Sequence, residues 1–429
     1  MHEDWFIQGA RIIDPATRRD ETGDLLIREG RIHASASPVP RGARRIDARG
    51  LAAVPGLLDL HVHFREPGNP AAESVATGSA AAARGGFTAV VVMPNTAPPL
   101  DRPARIRTLL RQAASCGRVE VLATGCLTQE RAGNERADLA AMADLVVAFT
   151  DDGSTPGAEA VMRKAMLAAR SLGKPVLDHA LDPTLAGTGV IREGAVSRRL
   201  GLPGIPEEAE ALAVERDIRL CEETGCRVHI QHVSTRAGAR RICEARQRGL
   251  PVSAELTPHH MALCDEDIPG DDPAFKMNPH LGTADDREAL LDALVSGGIR
   301  ALATDHAPHD EKSKSGGFRD AAFGVIGLET AVGVTHSVLV RSGRVSLADW
   351  VALWTVGPAA VLGLPPPSLQ PGCAANVTLL ALDEPWTVRA SEFGSRSRNT
   401  PFEGRTLYAR AAYTFRNGNP THGPPRRHH

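Results

Sequence analysis

Short apolar runs alternate with longer amphipathic stretches through the middle of this chain. The runs with β character cover residues 57–64, 87–93, 119–126, 146–150, 175–178, 227–232, 251–256 and 299–304. Several are continuously apolar rather than alternating, the pattern of parallel strands covered on both faces. The stretches 71–84, 158–172, 207–223 and 285–296 between them have the spacing of amphipathic helices. Strand–helix alternation repeated eight times predicts an α/β fold, a (β/α)8 TIM-type barrel. The flanks read differently. Residues 1–53 and those after the proline-rich Leu364-Pro365-Pro366-Pro367 show short alternating strands and turns. The expectation is a barrel over 54–365 and a small β-sandwich domain assembled from both ends of the chain, 1–53 and 366–429.

The apolar runs end in polar residues, and these carry the chemistry. The first ends in Asp59-Leu60-His61-Val62-His63-Phe64-Arg65-Glu66-Pro67-Gly68. Residues i and i+2 of a strand share a face, so His61 and His63 project together with nitrogens suited to zinc. Arg65 has the same parity, just past the strand. The second run ends in Asn95, the fourth in Asp151-Asp152-Gly153, the fifth in Asp178-His179. The sixth carries His229 and His232. The seventh leads to His259-His260 and then Asn278, and the eighth ends in Asp305-His306 with His309 following. In a barrel these ends meet at one mouth, where active sites lie. Buried His and Asp are costly unless paired or ligating, so their convergence argues for a metal site.

Composition narrows the class. The chain has 429 residues, 42% hydrophobic and 23% charged, with net charge −2, which gives no basic footprint for nucleic acid. No apolar run approaches the ~18 residues of a membrane span. The start, Met1-His2-Glu3-Asp4-Trp5, lacks the basic and apolar regions of a signal peptide, so a cytoplasmic location is expected. The 7 cysteines include no Cys-x-x-Cys pair and are read as reduced, mostly buried thiols. His2, His33, His336 and His422 are read as ordinary surface residues, and the end of the chain, 424–429, as frayed.

Taken together, these motifs resemble the amidohydrolase superfamily and, within it, the bacterial type I dihydroorotases. The matching segments are 59–68, Met93-Pro94-Asn95-Thr96, Thr150-Asp151-Asp152-Gly153, Asp178-His179, His229-Ile230-Gln231-His232-Val233-Ser234-Thr235, Ala303-Thr304-Asp305-His306-Ala307-Pro308-His309, Phe323-Gly324-Val325-Ile326-Gly327-Leu328-Glu329-Thr330 and Ser397-Arg398-Asn399-Thr400-Pro401-Phe402. The resemblance implies one or two zinc ions held by His61, His63, Asp152, His179, His232 and Asp305, with Asp305 also the catalytic proton carrier. It implies Arg65, Asn95 and His309 on the substrate carboxylate, and Asn278, Phe323 and Gly324 along the pyrimidine. Many relatives carry a carboxylated lysine at the strand-four position. Here Asp152 is expected to take that place, with Asp151 as competitor, since adjacent strand residues face opposite ways. One departure concerns the wall after strand seven. The family's Asn-Pro-Pro-Leu-Arg is Asn278-Pro279-His280-Leu281-Gly282 here.

The implied activity is the reversible cyclisation of N-carbamoyl-L-aspartate to L-dihydroorotate. Arg65 favours this carboxylate-bearing substrate over those of hydantoinase- and allantoinase-type amidases. A non-catalytic partner of aspartate transcarbamoylase is the rival from another class, disfavoured because every ligand position is filled. The resemblance leaves room for a homodimer and for a transcarbamoylase partner. His229, His259 and His260 are expected to pack or to orient ligands, and Asp178 to orient its neighbour. The polar segment 310–322, with Gly316-Gly317 at its centre and no apolar period, is expected to be a mobile loop closing over the mouth.

Overall fold

A computed structural model describes residues 3–34 and 37–424. The histidine at position 2 and the chain end after 424 lie outside the described residues.

All eight expected barrel strands are present. They are β1 (Leu57–Val62), β2 (Phe87–Val92), β3 (Glu120–Gly125), β4 (Ala148–Phe149), β5 (Val176–Asp178), β6 (Val228–Ile230), β7 (Val252–Leu256) and β8 (Ala301–Leu302). Each pairs in parallel with the next, in sequence order. The ring closes just past the strand ends, where a parallel bridge joins Val62 to His306 and the His63 amide donates to the His306 carbonyl at 2.9 Å. Every residue of β1 is buried, as its unbroken apolar run requires.

The predicted helices appear as Val75–Arg84, Glu159–Ser171, Glu208–Thr224 and Ala284–Val295. The first starts at Val75, four residues later than its pattern suggests, because Ser74 caps it, accepting from the Thr77 amide. At the far end of the barrel, helix Val356–Leu362 stops at Gly363, whose φ of 70° provides the left-handed cap before the proline run.

Strands from the two ends of the chain form one further sheet. Its order is Asn419–His422, Thr406–Arg416, Val377–Thr387, Leu51–Pro55, Trp5–Asp14, Arg19–Arg28 and Arg31–His33, with Arg44–Asp47 also paired to Trp5–Asp14. The ladder is continuous, yet the sheet folds over on itself. Trp5 and Phe415 lie three strands apart along it, roughly 14 Å if flat. Their rings instead meet edge-on at 5.3 Å, inside an apolar cluster with Ile7, Ile27, Val377 and Leu379.

One local expectation changes, and another gains a detail. His336 is not a surface residue. It is buried against the Trp350 ring, at 5.6 Å, because the helix before it turns this face inward. The segment 310–322 is not devoid of apolar anchors. Phe318, in the short helix Gly317–Asp320, is 1% exposed and packs with Val325 and Leu281.

Candidate metal centre

The residues following β1, β4, β5, β6 and β8 come together at the mouth. His61 Nε2 lies 3.2 Å from Asp152 Oδ1 and 3.5 Å from Asp305 Oδ1. His63 Nε2 lies 3.0 Å from Asp305 Oδ1 and 3.5 Å from Asp152 Oδ2. On the other side of Asp152, His232 Nε2 and His179 Nδ1 approach its Oδ1 to 3.7 and 3.9 Å, and each other to 2.9 Å. Two triads of ligand atoms result, His61–His63–Asp152 and Asp152–His179–His232, each spanning no more than 4.8 Å and sharing Asp152. All of these side chains are buried. His61 Nε2 and Asp152 Oδ1 face each other without the alignment for a hydrogen bond, and neither makes a hydrogen bond elsewhere among the described residues. Buried polar atoms are seldom left so, and a metal ion would satisfy both at once. The donor set, imidazole with carboxylate, fits a divalent transition metal.

Neighbouring aspartates diverge as strand parity demands. Asp151 accepts from the Leu127 and Thr128 amides at 2.9 and 3.1 Å, on the far side of the strand from the histidines. Asp305 and His306 diverge likewise. His306 faces Glu73 at 3.3 Å and accepts from the Gly327 amide. Two ligand candidates occupy the left-handed backbone region, His232 at φ 33° and Asp305 at φ 45°, a conformation costly for non-glycine residues and met most often at functional sites.

Charge balance shapes the mouth. Burial alone would keep His61 neutral, but the charges of Asp152 and Asp305 raise it well above the usual imidazole range. Burial raises Asp152 and Asp305, and the surrounding histidines more than reverse this, holding both carboxyls low. Burial and the charge of His232 push His179 down to about 3. The mouth thus presents carboxylates, with His179 held neutral.

The remaining sequence candidates line the same mouth. Asn95 bridges His63 Nδ1, at 3.0 Å, and Asp152 Oδ2, at 3.3 Å. Asn278 donates to His179 Nε2 at 3.0 Å. The Arg65 Nε donates to the Pro308 carbonyl at 3.1 Å, and Arg65 makes no ion pair among the described residues. Burial lowers its pKa to about 10, so it stays a cation at neutral pH. His309 Nε2 donates to the Phe323 carbonyl at 2.7 Å, and burial and Arg65 push it down to about 4. The family-like Asn399 ties this wall together, donating to the carbonyls of Ala307 and Gly324 at 3.2 and 3.0 Å.

His229, His259 and His260 stand behind the triads. His260 is held by Thr257 at 2.7 Å and by the Pro279 carbonyl at 3.2 Å. Asp178 is turned toward Thr155 and Arg216, at 3.0 and 2.9 Å. Gly282, where the family has arginine, packs against Asp286 and the Ser234 carbonyl. A Cβ here would come within 2.7 Å of both, so this wall has closed over the space a side chain would need.

Sequence reading missed Glu255. This fully buried carboxylate in β7 holds His61 Nδ1 at 2.9 Å and His229 Nε2 at 3.1 Å. The two histidines outweigh burial and lower it to about 2. It fixes the ring of His61 so that Nε2 faces the mouth. Its one signal was a charged residue inside an apolar run.

Comparison with known proteins agrees with this architecture. A family model described as dihydro-orotase-like matches residues 50–238. A dihydroorotase of Anaeromyxobacter dehalogenans strain 2CP-1 is 45% identical over 98% of both chains. One from Pelotomaculum thermopropionicum is 44% identical over 94% of both. The solved L-hydantoinase (dihydropyrimidinase) from Arthrobacter aurescens superposes with a TM-score of 0.85 at 26% identity, covering 98% of this chain and 96% of that one. With a cyclic amidohydrolase barrel, a His/Asp cluster at its mouth able to hold a metal ion and near-complete alignment to such relatives, this chain belongs to the dihydroorotase family.

Proposed function

We propose that this enzyme interconverts N-carbamoyl-L-aspartate and L-dihydroorotate, with zinc as its metal and Asp305 as its proton carrier. The observation that carries the substrate is Arg65. It is a cation at the mouth with no carboxylate partner, beside His309 and Asn95. A guanidinium binds a carboxylate bidentately, and dihydroorotate brings one where hydantoin and allantoin do not. His61, His63, Asp152, His179, His232 and Asp305 would hold one or two ions. A bound zinc would polarise the ring amide carbonyl and lower the pKa of water from ~16 toward 7.

The rest falls to the chain itself. Arg65, Asn95 and His309 orient the substrate carboxylate. Asn278 and the Phe323–Gly324 backbone flank the ring. Asp305, within 3.0 Å of His63, accepts the proton of the attacking water and returns it to the leaving ring nitrogen. Ring closure runs the same path backwards. It requires a protonated carboxylic acid on carbamoyl aspartate, so closure should gain toward low pH and ring opening toward high pH.

The segment 310–322 is proposed as a lid, hinged on an anchored base. Lys314 donates to the carbonyls of Lys276, Ala322 and Gly324 at 2.9–3.2 Å and ties it to the ring-binding wall. The division into a barrel over 54–365 and a β unit from 1–53 and 366–429, the cytoplasmic location, a homodimer and a transcarbamoylase partner complete the proposal. The deciding assay is ring opening of dihydroorotate against hydantoin and allantoin by purified protein. A preference for either of the latter would overturn the substrate assignment.

A further inference from the structure

The end of the barrel opposite the metal centre also holds a cavity, of about 700 Å³. This is within the roughly 300–1,000 Å³ typical of small-molecule sites. The starts of the strands form its floor, with Val228 before His229 and Val252 and Ser253 before Glu255. Its sides come from the end of helix Ala284–Val295 and from helices Leu347–Leu353 and Val356–Leu362. Leu294, Ile299, Leu353 and Val356 make much of this lining apolar.

Three arginines also line it, and none makes an ion pair among the described residues. Arg227 donates to the carbonyls of Gly173 and Val361, at 2.7 and 3.4 Å. Arg246 donates to the Val252 carbonyl at 3.0 Å and Arg300 to the Gly297 carbonyl at 3.0 Å. A guanidinium has five donors, so most of theirs are unused. A fourth, Arg344, is already neutralised by Glu288 at 2.7 Å. The carboxylate in the lining, Asp349, accepts from Ser346 at 2.6 Å. Burial and the nearby charge of Arg300 both pull the pKa of Arg246 down. Arg246 and Arg300 thus line one partly apolar cavity, close enough for the charge of one to act on the other, and no described carboxylate pairs with either.

We propose that this cavity binds a phosphomonoester of nucleotide size. Its dianionic phosphate sits between Arg246 and Arg300, with Arg227 adding positive potential, and its flat apolar body lies against Leu294, Ile299 and Leu353. A dianion matches two guanidiniums lining one cavity, where a single carboxylate would neutralise one. The apolar lining accounts for a body larger than the phosphate itself. The site shares no residue with the metal centre.

The test is calorimetric titration of the metal-loaded full-length protein with AMP, UMP and inorganic phosphate. Saturable binding of one equivalent of a nucleotide is expected, at least ~10-fold tighter than inorganic phosphate. Arg246→Ala/Arg300→Ala should weaken it at least ~10-fold, while Arg65→Met at the mouth leaves it unchanged. Arg300→Ala alone, at an exposed residue whose loss removes one backbone contact, should weaken binding measurably and guards against a misfolded double variant. No saturation by either nucleotide below about 1 mM would overturn the proposal. So would inorganic phosphate binding as tightly as the nucleotides, or binding lost in Arg65→Met and kept in the double variant.

Discussion

At the C-terminal end of the barrel, histidines and aspartates are aimed at one another from five strands, and two of their atoms meet without bonding. At the N-terminal end, three arginines hold backbone carbonyls and no carboxylate. The first end gathers carboxylates among histidines, and the second gathers guanidiniums that no carboxylate pairs. Both are built on the same strands, and Glu255 and Ser253 show how short the distance is. Ser253 Oγ lines the lower cavity and contacts His229 Nδ1 at 2.9 Å. His229 Nε2 meets Glu255, which holds His61. Polar groups in a barrel core therefore need not belong to the end they are nearest. What each can do depends on the charges gathered around it.

The comparison breaks most completely if the upper end works without metal. Chelation should abolish ring opening, and elemental analysis of the untreated protein should find one to two zinc equivalents per chain. A metal-free preparation with full turnover would end the metal reading. Next in size, Asp305→Asn should cost ~10²–10⁴ in turnover, the range for a positioned acid–base group, measured as kcat for ring opening. Near-normal turnover would move the proton-carrying role to another group. Glu255→Gln keeps the shape but lowers the charge behind His61, so it should cost ~10–100-fold in metal affinity or activity. Competition with a chromogenic chelator reads this.

His336 supplies the contrast of a buried histidine away from both ends. Burial, with Arg341 adding to it and Asp383 opposing it, lowers its pKa to about 4. The unfolded chain, with a pKa near 6.5, binds the proton first. Stability should therefore fall as pH drops from about 6.5 toward 4, by about 3 kcal/mol at most from this residue. Denaturant unfolding of His336→Phe across that range should show a flatter slope, with turnover at neutral pH preserved. An unchanged slope would refute the assignment. Smallest of all, Arg246→Ala/Arg300→Ala should leave kcat for dihydroorotate within about 2-fold, since neither arginine reaches the mouth. A large loss would mean that the two ends are coupled.

Much of the upper end was legible in the chain because strand geometry makes it so. His61 and His63 share parity, and Asp151 and Asp152 cannot, so spacing says that only one of the two aspartates faces the mouth, and the family resemblance names Asp152. The eight runs were legible because a strand covered on both faces admits few polar residues. Glu255 was not, since one carboxylate inside an apolar run reads as an interruption until the histidines that flank it in space are known. His336 was misjudged because its burial comes from Trp350, fourteen residues on. Phe318 was overlooked because one apolar residue has no period. The arginine-lined cavity was invisible for the strongest reason. Its walls are strand starts and helix ends that the sequence scatters from Pro175 to Val361.

The folded-over terminal sheet also sets a schedule for synthesis. Leu51–Pro55 pairs with Val377–Thr387, so about 320 residues separate the two halves of one ladder. At 5–20 residues per second, the early strands wait roughly 16 to 64 s for their partners. Through that interval Leu51–Pro55 is an open edge, and Ile7, Ile12, Leu25 and Ile27 lack the Val377, Leu379 and Phe415 that cover them in the finished molecule. The nascent chain is most exposed to aggregation and to chaperone capture then, and a truncation that removes Val377–Thr387 and everything after it should strand the first fifty-five residues in that condition permanently.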